Sequence, residues 1–161
     1  VGSGYPRLRE TGALEKEAVL GKLVRPDINT KFRVDYDWWA ERNGNIRMLI
    51  REQLCEQCKA KFGSEAAAQD IDWVDPSTGE VTVVDGLRYA LRDCCSRRED
   101  YVSRSTALTA AIFRALIADD ETPLSATEIH ERIGRSDPKT LLRILLGEGM
   151  RTHYGVRPIL G

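Results

Sequence analysis

The chain has 161 residues, 42% of them hydrophobic, which is enough for at least one real core and argues against a disordered tail. Its 24 Lys and Arg nearly cancel its 25 Asp and Glu, so bulk charge names no partner and excludes binding of nucleic acid by net charge alone. No apolar run reaches the length of a membrane span, and the first residues, Val-Gly-Ser-Gly-Tyr-Pro, lack the basic and apolar regions of a signal peptide. No membrane contact is therefore expected, and a reducing, cytoplasmic location follows from the lack of an export signal.

Residues 1–34 are interrupted by Gly2, Gly4, Pro6, Gly12, Gly21 and Pro26, with a short helix possible only over 13–23. They read as an extended N-terminal arm that docks on the body of the protein or on a protein partner. Residues 35–102 form the next unit. Trp38, Trp39, Ile46, Leu49, Ile50 and Leu54 recur at helical spacing, which predicts a helix from an N-cap at Asp37 to about Phe62, with Gly44 able to split it. At least one of the two tryptophans is expected in the core. Valines and a tryptophan flanking Asp75-Pro76-Ser77-Thr78-Gly79 predict a β-hairpin over 71–84, and Leu87 to about Tyr101 returns to a helix.

The four cysteines fall within this unit as two pairs, Cys55 with Cys58 and Cys94 with Cys95. A Cys-x-x-Cys pair places two thiolates on one ion, and tetrahedral Zn–S bonds of about 2.3 Å separate the sulfurs by roughly 3.8 Å. Consecutive Cα atoms lie about that far apart, so adjacent cysteines at a helix start or bend reach one metal as well. In a reducing compartment the pairs point to a structural Zn²⁺ site. An iron–sulfur cluster, a redox pair or disulfides, and four unrelated buried thiols are the alternatives.

Cys-x-x-Cys, 35 intervening residues and Cys94-Cys95-Ser96-Arg97-Arg98 together resemble the zinc bundle of the small zinc-binding subunit of archaeal and eukaryotic RNA polymerases. The resemblance covers residues 55–98. It implies a structural zinc tying a small helical bundle together; a site with four protein ligands also leaves no open position for a substrate.

Residues 103–161 show a third pattern. Thr106 to Ala118 is an apolar helix, and Ser125 with Glu128 makes a capping box for a short helix. Gly134-Arg135-Ser136 is a turn, and Asp137 caps a helix that begins at Pro138 and runs to about Leu146. Met150 to Ile159 reads as a hairpin around Tyr154-Gly155. This order resembles a winged-helix domain, whose second helix enters the major groove in DNA-binding members. With Leu141, Ile144 and Leu145 facing inward, Lys139, Thr140 and Arg143 are the residues expected to reach DNA. Arg135 and Ser136 in the turn, and Arg151, His153 and Arg157 in the wing, are expected to be available to phosphates.

The predicted fold is mainly α: a zinc-clamped helical bundle with one β-hairpin, then a winged-helix-like domain. The function expected from it is that of a DNA-associated, transcription-regulator-like protein. The alternative is a non-catalytic accessory or structural subunit of a larger protein or nucleoprotein assembly, docking through residues 1–34 and the winged helix. His130 and His153 have no partner at a metal-ligand spacing, and neither a nucleophile elbow, a phosphate-binding Gly-Lys-Ser/Thr loop nor a dinucleotide fingerprint occurs. An enzyme or a small-molecule substrate is not indicated.

Overall fold

The computed structural model describes residues 25–62, 70–118 and 122–160. Most of the expected arm, residues 1–24, lies outside them. Three short helices replace the single one predicted over 37–62: α1 (Tyr36–Glu41), α2 (Ile46–Glu52) and α3 (Glu56–Phe62). Asp35, not Asp37, caps α1, its carboxylate accepting the N–H groups of Asp37 and Trp38 at 3.1 and 3.2 Å. The helix does break next to Gly44: it ends at Glu41, Asn43 takes φ 51°, and a Cβ on Gly44 would stand 2.5 Å from the Trp39 ring. Asn45 then caps α2 through Met48 N–H.

The hairpin forms as predicted, β2 (Ile71–Val74) against β3 (Val81–Val84), antiparallel with Val74 opposite Val81. Asp85 does more than end it. Its carboxylate caps α4 (Gly86–Asp93) at Leu87 N–H and pairs with Arg47 of α2, joining the two helices. The helix stops at Asp93 instead of Tyr101, and Cys95–Arg97 form a single tighter turn.

In the C-terminal part, α5 (Leu108–Ala118) is followed by β4 (Leu124–Ser125), α6 (Ala126–Ile133) and α7 (Pro138–Leu145). The Ser125/Glu128 capping box and the Asp137 cap ahead of Pro138 are both present. Gly134 ends α6 in the left-handed region at φ 67°. The expected hairpin over 150–159 is not found. Residues there form helix α8 (Glu148–His153), with Met150 buried, and then one strand, β5 (Val156–Ile159).

The partner of β5 comes from the other end of the sequence. Residues 31–34, assigned from sequence to the arm, are strand β1, which lies between β4 and β5 and pairs antiparallel with both. Lys31 and Arg33 face solvent while Phe32 and Val34 are buried. Phe32 joins Phe113, Leu124, Ile129, Leu141, Leu145, Met150 and Val156 in a core that continues without a break to Ile50, Leu54, Leu87, Leu91 and Cys95. The cysteine region and the C-terminal helices therefore share one interior.

A polar tie adds to this strand's anchoring. Lys31 pairs with Glu128, and that bond first, then Ser125 N–H, brings the Glu128 carboxyl down to about 2. A carboxyl lowered on folding stabilises the folded state above its unfolded value, about 4.3, and the gain is lost as pH falls through the folded value. Lys31→Ala is therefore expected to raise the Glu128 midpoint toward 4 in a carboxyl NMR titration and to flatten the acid limb of stability between about pH 4 and 2. An unchanged midpoint would show that the pair does not form in solution.

Among the described residues, no helix is long and apolar enough to cross a membrane.

Candidate metal centre

The four thiols converge because two helix ends meet. Cys55 stands just before α3, where its carbonyl accepts Lys59 N–H at 2.8 Å, and Cys58 lies in the first turn beyond it. A side chain at such an N-terminal position faces the free N–H groups of the first turn, and Cys58 N–H does bond to the Cys55 sulfur. Cys94 closes α4 with φ −126° and ψ −69°, so the chain turns sharply between the adjacent cysteines, and both reach the same point.

All four Sγ atoms lie within 4.8 Å of one another, and Cys55 Sγ is 3.6 Å from Cys95 Sγ. No disulfide is formed. A bond would bring two sulfurs to about 2.05 Å and leave the set as separate pairs, whereas here each sulfur neighbours all three others. The spacings bracket the roughly 3.8 Å edge of a tetrahedral four-thiolate ion site. The cluster is thus a possible metal-binding site, consistent with zinc.

Its electrostatics keep most of the sulfurs as neutral thiols unless a cation is present. Burial pushes the Cys55 thiol up, but Cys58 N–H and the thiols of Cys95, Cys58 and Cys94 outweigh it and bring it down to about 7. Burial and the three neighbouring thiols drive Cys58 far upward, and burial also raises Cys95. One thiolate makes the next harder to form, so four together require an opposite charge at the centre. Cys58 and Cys95 are buried, Cys55 and Cys94 half-buried.

The surroundings couple this centre to the C-terminal helices. Arg114 of α5 donates to Gln53 Oε1 at 2.7 Å and to Tyr101 O at 2.6 Å, and Tyr101 OH donates back to Arg114 O at 2.7 Å. Gln53 and Tyr101 flank the two cysteine pairs in sequence. A cavity of about 270 Å³ lies alongside, bordered by Cys55, Cys95, Arg98 and Arg114.

The residues expected to contact DNA are distributed unevenly. On α7, Leu141 and Leu145 are buried and Ile144 half-buried, while Lys139 and Arg143 are exposed. Thr140 is half-buried, and its N–H and hydroxyl bond to Asp137, holding that carboxyl below its usual range. Arg135 is not a free surface cation: its guanidinium donates to the carbonyls of Ser103 and Thr106, fastening the turn to the segment ahead of α5. Ser136 is exposed with φ 58°, and its carbonyl contacts His130 Nδ1. Arg151 and His153 lie on α8, and Arg157 on β5 pairs with Asp35 at 3.2 Å.

Sequence reading missed that Arg151 and Arg157 share a cleft with Trp38 and Arg42. The four-residue step from Trp38 to Arg42, the residue that closes α1, was a usable signal, since it sets the two about one turn apart.

Compared with protein-family models, curated proteins and solved structures, the chain matches none.

Proposed function

We propose that this is a zinc-clamped, DNA-associated protein of the transcription-regulator kind, with α6 and α7 as a helix-turn-helix and no hairpin wing after them among the described residues. The observation that carries the reading is the packing of α6, the Gly134 turn and α7. Buried Leu141 and Leu145 hold α7 against the core, and Lys139 and Arg143 project outward from it, as a major-groove helix requires. Zinc suits the four thiolates better than an iron–sulfur cluster, because the sulfurs gather around a space for one ion. With four protein ligands the ion has no open position, so its role is structural and the chain is not an enzyme at this centre. Thiolates kept for a metal suit the reducing cytoplasm.

Duplex DNA is expected to bind with an affinity that falls steeply with salt, and Lys139→Ala with Arg143→Ala is expected to weaken it by about 2–4 kcal/mol. Fluorescence anisotropy on a labelled duplex measures this, and absence of binding at 50 mM salt (about a 14 Å screening length) would refute the reading. A second reading, an accessory subunit of a larger assembly, is favoured by the hairpin. Val74, Val81 and Val83 share one face and are 56, 58 and 64% exposed, an apolar area that a protein partner would cover. A chain that retains such a partner and binds no DNA would favour it.

A further inference from the structure

On the side of the molecule formed by α1, α8 and β5 lies an open cleft of about 460 Å³, lined by Trp38, Arg42, Arg151, Thr152 and Arg157. The strand register adds another cation, because Arg33 of β1 stands directly opposite Arg157 on the solvent side of the sheet. Four guanidinium groups thus come from β1, the residue that closes α1, α8 and β5. Asp35 engages Arg157 at 3.2 Å, whereas Arg33, Arg42 and Arg151 make no ion pair among the described residues. Exposed Asp37, Glu41 and Glu148 on the same elements reduce the net field without pairing with these arginines.

The aromatic geometry decides what such a cleft can take. Trp38 is only 9% exposed, Arg42 lies 4.5 Å over its ring, and Trp39 meets it edge-on at 5.2 Å. No ring face is left for a base, which removes the stacking platform that single-stranded recognition relies on. The stacked Arg42 guanidinium is instead fixed in orientation, with its N–H edge available to an oxyanion. Exposed arginines spread over several elements match a row of phosphates better than one enclosed anion.

The geometry points to this cleft as a seat for the phosphate backbone of a nucleic-acid duplex. This rests on the DNA-associated reading and extends it from α7 to a surface that α7 does not line. The cleft's contribution is sequence-independent, since it reads phosphates and not base edges.

The test uses the full metal-loaded chain with three labelled probes of equal length and arbitrary sequence: duplex DNA, duplex RNA and single-stranded DNA. Arg42→Gln with Arg151→Glu should weaken duplex binding at least about 10-fold and make the log–log salt slope shallower by about 2, the value for two lost phosphate contacts. Arg151→Glu alone, at an exposed site with no internal ion pair to break, should shift the slope by about 1 and leave the melting temperature unchanged. DNA and RNA duplexes should respond alike, since the cleft reads phosphates. If the chain binds duplex but these variants keep its affinity and slope, or if single strands bind more tightly than duplexes, the cleft assignment is overturned and the α7 reading stands. No duplex binding by the unaltered chain overturns both.

Discussion

Replacing Cys58 or Cys95 by serine is expected to destabilise the protein more than any other single change considered, and stripping the metal with a chelator should do the same. Cys58 is 6% and Cys95 1% exposed, and each touches the remaining sulfurs at the junction of α3 with the end of α4. Structural zinc sites supply apparent binding free energies of roughly 10–16 kcal/mol in small domains, comparable to a whole domain's stability of about 5–15 kcal/mol. Without the ion, only weak thiol–thiol contacts such as Cys95 Sγ to Cys55 Sγ remain where α2, α3 and α4 must converge. Because Arg114, Gln53 and Tyr101 link that junction to α5, loosening should spread beyond the cysteines. Thermal melts under reducing conditions, with and without chelator, measure this. A melting temperature that neither chelation nor Cys58→Ser alters would contradict a structural metal.

Phe32→Ala should have the next largest effect, a loss of about 3–5 kcal/mol, the usual range for truncating a buried phenylalanine. Phe32 is fully buried, faces Leu124 and Pro158 across the two neighbouring strands, and belongs to the same core as Phe113 and Met150. Arg33→Ala, one residue on and on the solvent side, should change stability by no more than about 0.5 kcal/mol. Denaturant unfolding of the two variants separates a strand that completes the core from an arm that merely rests on it. Equal, small losses would mean that residues 31–34 are peripheral.

These two cases also mark how far sequence can be read. The cysteine site was legible because ligand chemistry is carried by residue type and short spacing, so Cys55 to Cys58 and Cys94 to Cys95 stood out without tertiary information. The hairpin turn at 75–79, the Ser125/Glu128 box and the Asp137-Pro138 helix start are local devices too, and each appeared where expected. Strand β1 was hidden by its brevity. Lys-Phe-Arg-Val alternates as a strand should, but its partners lie near residues 124 and 157, and no local pattern announces such a pairing.

The same cause accounts for the missing hairpin. Once β1 supplies the partner of β5, residues 148–153 are released to form α8, which buries Met150. Two further differences come from competition between equivalent groups. Asp35 and Asp37 are both competent N-caps, and the one whose carboxylate meets the N–H groups of Asp37 and Trp38 prevails. Arg135 looks in sequence like any exposed turn arginine, yet two backbone carbonyls from the segment before α5 claim it.

The central claim is that the four cysteines hold one structural metal ion, and elemental analysis of the purified, reduced chain tests it most directly. The account predicts about one equivalent of zinc per chain, retained through gel filtration and lost in Cys58→Ser. Less than about half an equivalent of any metal would contradict it, and iron accompanied by acid-labile sulfide would replace the single ion with a cluster.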